Sequence, residues 1–152
     1  MEFTRIFEFL EHQLNNGPLE KSLSSKYNSK WVSISTKEFF DQSHKISHAL
    51  IKLGIKSNDK IALISSTNRS EWSIIDMGIL QIGAINVPLY PTITSKDYEY
   101  ILNHSECKYC FVSDIEVLNK IKPIKGKVKS LKEIFSFDQI TNCKNWEELL
   151  YL

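Results

Sequence analysis

Lys60–Thr92 reads KIALISSTNRSEWSIIDMGILQIGAINVPLYPT. Lys60-Ile61-Ala62-Leu63-Ile64-Ser65 is a short apolar run between polar residues, the pattern of a strand buried on both faces. Ser66 to Arg69 forms a polar turn at its carboxyl end, with Asn68 or Ser70 able to cap a following helix. Trp72, Ile75, Ile79 and Ile82 recur at spacings of three and four and make one apolar face, which Gly83 closes. Ala84 to Val87 read as a second strand, stopped by Pro88. Two strands around one helix make a right-handed βαβ unit, the centre of a parallel α/β sheet.

Outward from this unit, strands and helices alternate without repeats, low-complexity tracts or linkers. Arg5 to Leu14 predicts a helix with Ile6, Phe9, Leu10 and Leu14 on one face, ended by Gly17-Pro18. Leu19–Tyr27 and Trp31–Ser35 predict a hairpin turning at Asn28-Ser29, where a residue tolerant of positive φ is needed. Ser35 and Glu38 make a capping box for a long helix with Phe39, Ser43, Ile46, Leu50 and Leu53 as its buried stripe and Gly54 at its end. Thr94 to Asp97 caps a short helix carrying Tyr98, Ile101 and Leu102. A strand at 107–112 follows, then a helix capped by Ser113 with Glu116 at its third position and ended by Pro123. Lys127–Ile134 predicts a last strand and Asn145–Tyr151 a last short helix. The expected fold is a three-layer α/β domain, a mostly parallel sheet with helices on both faces and an N-terminal β-hairpin on its edge. Residues 1–152 form a single unit.

The central stretch resembles the amino-terminal part of AMP-forming acyl-CoA synthetases, within them the long-chain fatty acid–CoA ligases. The resemblance rests on Asn58-Asp59-Lys60-Ile61-Ala62, on Asn68-Arg69-x-Glu71-Trp72, on Gln81-Ile82-Gly83-Ala84 and on Val87-Pro88-Leu89-Tyr90-Pro91-Thr92. It continues through Tyr27-Asn28-Ser29-Lys30-Trp31, Ile34-Ser35-Thr36, Asp97 to Ser105 and Phe111-Val112-Ser113-Asp114. Order and spacing together make it specific, and it covers nearly the whole chain.

The resemblance implies an enzyme that joins ATP and a fatty acid, with magnesium, into an acyl-adenylate and pyrophosphate. The CoA thiolate then displaces AMP. Its TSGTTG-like phosphate loop, YGxTE-like motif, ribose-binding Asp and catalytic Lys have no counterpart here. The G-x-x-x-x-G spacing at Gly78 and Gly83 continues into Ala84-Ile85 where a phosphate loop needs Lys and Ser or Thr. Gly78 falls inside the predicted helix, where a missing side chain suits close packing. The chain is therefore expected to be an amino-terminal fragment without catalytic residues and inactive alone, with ATP, magnesium and CoA belonging to the full enzyme. In the synthetases it resembles, this turn lies near the route of the CoA arm, so the resemblance implies that Tyr90, Pro91 and Thr92 line the CoA channel, stiffened by Pro88 and Pro91.

Composition narrows the partners. Apolar residues make up 42% and charged residues 24%, ordinary for a globular protein, and a net charge of +1 gives no global pull toward nucleic acid. No run approaches a membrane span or a signal peptide, so a cytoplasmic location is the default expectation. Three cysteines, an odd count, argue against a disulfide framework. Cys107-x-x-Cys110 falls in the predicted strand, where residues three apart face opposite ways and cannot share a metal.

Other candidates have plain structural readings. Ser65–Arg69 lies where parallel sheets bind ligands and offers hydroxyls and helix amides to a phosphate or FMN, in the manner of a flavodoxin-like binding module. It lacks a glycine for close approach. His44 and His48 share a helix face without the acidic residue of an H-E-x-x-H site. His104 sits at a helix end, complementing the dipole. Lys120, Lys122, Lys125, Lys127, Lys129 and Lys132 alternate with Val128 and lead to Leu131 and Ile134, the pattern of an edge strand protected by charge rather than a nucleic-acid site. The partners expected of the full enzyme are fatty acid, ATP and CoA, with room for peripheral membrane contact and for self-association through an exposed sheet edge.

Overall fold

Strand β3 (Lys60–Ile64) is the element around which the sheet assembles, because its apolar run has no polar face. Ile61 and Leu63 enter one core and Ala62 and Ile64 the other, all four at 0% exposure. The computed structural model describes residues 3–152. Five strands form one wholly parallel sheet in the order β4-β3-β5-β6-β7, with β4 at Ile85–Leu89, β5 at Tyr109–Val112, β6 at Glu133–Ser136 and β7 at Lys144–Asn145.

Helices α1 (Phe7–Asn16), α2 (Thr36–Lys52) and α3 (Ser70–Gln81) cover one face together with a 3-10 helix at Trp146–Tyr151. Helices α4 (Ser95–Ser105) and α5 (Ile115–Ile121) cover the other, with a 3-10 helix at Lys122–Lys127. The three expected layers are present. The predicted capping box at Ser35–Glu38 and the predicted cap at Thr94 both form: the Ser35 hydroxyl accepts from Glu38 N–H and the Thr94 hydroxyl from Asp97 N–H. Gly54 takes φ +83° just after α2, a conformation that costs glycine little. At the hairpin turn, Asn28 and Ser29 both have positive φ, 48° and 65°.

Several local expectations are corrected. The hairpin, β1 (Leu23–Tyr27) with β2 (Lys30–Ile34), is a separate antiparallel pair and not an edge of the main sheet. Its side chains instead engage the start of α3: the Ser25 hydroxyl accepts from Ser70 N–H at 2.7 Å. That bond also corrects the cap, since neither Asn68 nor Ser70 caps α3. Asp114, not Ser113, caps α5, accepting from Glu116 and Val117 N–H at 3.0 Å. Pro88 lies within β4 rather than beyond it; β4 pairs only with β3, and an edge strand tolerates a residue with no N–H to donate.

The lysine-rich 127–132 segment is not a strand. Val128 and Leu131 are buried, and β6, which follows, is an interior strand between β5 and β7. Cys107 precedes β5, so strand alternation does not govern it. Both Cys107 and Cys110 lie in the same apolar cluster, where burial pushes each thiol's pKa up. In α1 only Leu10 is buried, while Ile6 and Phe9 stay exposed, because the helix meets α2 and α3 along a narrow line.

Gly78 is where α2 and α3 touch. A Cβ there would stand 2.6 Å from Ile46 Cγ2, 2.9 Å from Ile46 Cβ and 3.0 Å from the Ser43 carbonyl oxygen. Alanine gains about 1 kcal/mol of helix propensity, but overpacking a tight site costs about 1–3 kcal/mol. The contacts fall on backbone and a branch point that cannot swing away, so the clash wins. Gly78→Ala is expected to lower the urea midpoint with an unchanged m-value; an equal or higher midpoint would mean that α2 can move off α3.

Candidate functional site

In this sheet the connection from β3 leads to one side and that from β5 to the other, so the carboxyl ends of these adjacent strands form the topological switch point. Open α/β sheets place their ligand crevice there. The residues at this point are Ser65–Arg69 after β3 and Ser113–Asp114 after β5, flanked by Asp138 after β6 and Tyr90–Thr92 after β4.

Arg69 organises the crevice. Its guanidinium bonds Glu71 Oε1 and Asp138 Oδ1, each at 2.6 Å, and donates to the Ser113 carbonyl at 3.2 Å. It also stacks between aromatic rings, 5.2 Å from the centroid of Tyr27 and 5.4 Å from that of Phe137. Tyr27 returns to the same network, its hydroxyl donating to Glu71 Oε2 at 2.6 Å. Burial opposes the charge on Arg69, but the hydrogen bonds it donates to Glu71 and Asp138 outweigh it and hold its pKa above the ordinary arginine value. Tyr27's pKa rises through burial and through its bond to Glu71.

The polar turn is equally committed. Ser65 donates to the Thr67 carbonyl at 2.6 Å and Ser66 N–H donates to the Ser113 hydroxyl at 2.9 Å. Ser113 in turn donates to Asp114 Oδ2 at 2.5 Å. The cation and the leading helix amide that a phosphate or FMN would use at Ser65–Arg69 are thus spent on internal partners. This bonding makes the turn a clamp between strand ends.

Tyr90 stands differently. Its side chain is 80% exposed, while its carbonyl accepts from the Tyr98 hydroxyl at 2.6 Å and the next carbonyl, of Pro91, accepts from Lys120 Nζ at 2.7 Å. At the carboxyl end of the edge strand the backbone of Tyr90 and Pro91 is thus held while the Tyr90 ring is free.

The AMP-binding enzyme family matches residues 10–149. The chain belongs to this family. It is 35% identical over 119 residues to long-chain-fatty-acid–CoA ligase 1 of Homo sapiens, covering 76% of this chain and 17% of that protein. Over 104 residues it is 30% identical to long-chain-fatty-acid–CoA ligase FadD15 of Mycobacterium bovis, covering 68% and 17%. The chain therefore spans about a fifth or less of the length of these curated relatives. Among solved structures, the anthranilate CoA ligase AuaEII in complex with anthranoyl-AMP superposes with a TM-score of 0.80 at 21% identity, over 98% of this chain and 27% of that one. The N-terminal domain of FACL13 from Mycobacterium tuberculosis does so with a TM-score of 0.80 at 18% identity, over 98% and 36%. These superpositions carry the fold of an AMP-binding enzyme to this chain.

The remaining candidates are structural. His44 is half-buried against the Phe40 ring, with Nδ1 3.2 Å from the Phe40 carbonyl oxygen and 3.3 Å from Gln81 Nε2, while His48 is exposed. Among the described residues, no three His, Cys, Asp or Glu side chains converge as a metal site would need. His104 stacks on Tyr100 in the last turn of α4. The Arg69 network was beyond sequence reasoning. Arg69-x-Glu71 is visible in the chain, but Tyr27 and Asp138 lie 42 and 69 residues from Arg69 along it.

Arg69 and Glu71 are only 12% and 10% exposed, whereas the Lys37–Asp41 pair is 72% and 46% exposed. Removing one partner of a buried pair costs about 3–5 kcal/mol, and an exposed pair contributes about 1 kcal/mol or less. Arg69→Met is therefore expected to lose about 3 kcal/mol in urea unfolding and Lys37→Met almost nothing. Similar losses would show the network to be solvated.

Asp114 supplies a pH test. Burial pushes its pKa up, but the hydrogen bonds it accepts from Ser113, Ser66 and the α5 amides overcome this and hold it below the usual carboxylate value. A depressed carboxylate stabilises above its unfolded pKa, near 4, and the contribution is lost as pH falls through the folded pKa. The stability difference between wild type and Asp114→Asn should shrink steadily from about pH 5 to about pH 3. A constant difference would mean that the charge on Asp114 contributes nothing.

Proposed function

We propose that this chain is the amino-terminal subdomain of a long-chain fatty acid–CoA ligase, acting as scaffold and channel wall rather than as a catalytic unit. In the whole ligase, ATP and a fatty acid, with magnesium, give an acyl-adenylate and pyrophosphate, and CoA then takes the acyl group with release of AMP. The relatives named as such ligases support the acyl class. The cation of the Ser65–Arg69 turn, Arg69, is neutralised by Glu71 and Asp138, which weighs against a nucleotide phosphate there. The phosphate-binding chemistry is therefore assigned to parts of the ligase outside residues 1–152, and the chain alone is expected to be inactive.

One observation carries the site reading: Tyr90 projects a free aromatic ring from a backbone clamped by Tyr98 and Lys120. A rigid aromatic with a hydroxyl tip suits the wall of a passage for the apolar and amide-bearing arm of CoA. Tyr90, Pro91 and Thr92 are accordingly proposed as that wall. No helix among the described residues is long and apolar enough to cross a membrane, and a cytoplasmic location is part of the proposal. Self-association through the exposed edge of β4 is the proposed route to any oligomer.

The test uses a ligase chain of the full family length. Tyr90→Ala is expected to raise the KM for CoA several-fold while leaving ATP–pyrophosphate exchange with a fatty acid unchanged. An unchanged KM for CoA would end the channel assignment. Detectable fatty-acid-dependent exchange by the 152-residue chain alone would end the scaffold reading.

A further inference from the structure

At the end of the sheet opposite the candidate site, the chain carries a row of like charges. Lys60, Lys108 and Lys132 stand side by side on the adjacent β3, β5 and β6 edges. Lys108 N–H donates to the Lys60 carbonyl at 2.9 Å and Lys132 N–H donates to the Lys108 carbonyl at 2.8 Å. The strand register continues directly from them, Ile61 opposite Tyr109 and Tyr109 opposite Glu133. Neighbouring strands lie about 4.8 Å apart, so three ammonium stems leave the sheet within about 10 Å of one another. Like charges on opposing positions are unfavourable, and the salt bridge from Asp59 to Lys108 offsets only part of the row.

The row opens into a cavity of about 620 Å³ lined by all three lysines with Lys129, Asp59, Glu106, Asn103 and Ser130. Asp59 is committed to Lys108 at 2.6 Å, and that bond holds its carboxyl below the usual carboxylate value. Among the described residues, Lys60, Lys129 and Lys132 have no carboxylate within salt-bridge distance. Lys132 lies against the Tyr109 ring, 5.9 Å from its Nζ to the centroid. Among the described residues the buried Ser130 hydroxyl has no hydrogen-bond partner, a donor left unused beside the unpaired Lys60, Lys129 and Lys132. The walls are firm: Asn103 Nδ2 donates to the Glu99 carbonyl at 2.9 Å and to the Lys127 carbonyl at 3.3 Å, tying α4 to the segment that carries Lys129 and Ser130.

We propose that this cavity binds an oligophosphate, two or more linked or closely spaced phosphate groups laid across the Lys60–Lys108–Lys132 row with the Ser130 hydroxyl as a neutral donor. The row spaces positive charge along a line, which matches a chain of phosphates better than a single carboxylate. Free oligophosphate and a phosphorylated lipid headgroup share this chemistry. The site is separate from the crevice at the carboxyl ends of the strands.

Titration calorimetry of the purified chain with inorganic pyrophosphate, at low salt and without magnesium, tests the site. Parallel flotation uses phosphatidylcholine vesicles with and without an inositol bisphosphate lipid. Saturable one-to-one binding of pyrophosphate is expected, weakened roughly tenfold or more in the Lys60→Gln/Lys132→Gln double variant, since each charged hydrogen bond is worth about that factor. Lys30→Gln, on the exposed hairpin, should leave it unchanged. The double variant should melt no lower than wild type, because a like-charge contact has been removed. Binding only to bisphosphate vesicles, with the same dependence on Lys60 and Lys132, supports the site and identifies a headgroup as its source. Absence of binding in both arms overturns the proposal, as does equal weakening by Lys30→Gln, which would reduce it to diffuse surface charge.

Discussion

The interaction on which the rest of this structure depends is the buried ionic knot around Arg69. One guanidinium joins the start of α3 through Glu71, the end of β5 through Ser113, the turn after β6 through Asp138 and the hairpin through Tyr27. Four segments that share no sequence neighbourhood are fixed by a planar, permanently charged group with several donors in a rigid fork, which lysine does not offer. Burying an ion pair is costly, and its usual return is specificity of arrangement rather than stability. Here the arrangement specified is the carboxyl end of the sheet.

The consequences run along the strands. With the ends of β3 and β5 joined by the Ser66–Ser113 bond, the switch-point crevice is braced, and the large exposed side chain beside it is Tyr90 on the neighbouring edge strand. The same parallel register that aligns these carboxyl ends also aligns the amino ends. There it brings Lys60, Lys108 and Lys132 into a row. One geometric fact therefore produces a closed polar clamp at one end of the sheet and a basic row, neutralised only at Lys108 by Asp59, at the other. Between them the apolar runs of β3 and β5 fill two separate cores.

Elements governed by local chemistry were legible in the chain. The capping box at Ser35–Glu38, the cap at Thr94, the positive-φ turn at Asn28-Ser29 and the close contact at Gly78 each depend on residues within one turn or on a missing side chain. The misread elements depend on partners far away. Ser25, contributed by the hairpin, caps α3, so no residue near Ser70 reveals it. Pro88 sits inside a strand because that strand is an edge, a property of sheet order and not of the tripeptide. The lysines of 127–132 alternate as a strand would, but Val128 and Leu131 are buried beneath α4 and α5, in the cluster that also holds Tyr98 and Val117. Cys107 was assigned to a strand that begins two residues later.

The sequence by itself determined the α/β class, the central βαβ unit and the family, because buried strands, amphipathic helices and their caps leave periodic and local signatures. It also gave the expectation that the family's phosphate-loop and catalytic motifs lie outside these residues. Tertiary structure alone decided which charges are spent and which are available. Arg69, close to the expected phosphate turn, is consumed by carboxylates brought from 2 and 69 residues away, whereas Lys60 and Lys132, 72 residues apart, flank Lys108 with no carboxylate at salt-bridge distance among the described residues. Pairing depends on distance in space, and strand order and register set that distance only once the whole sheet has formed.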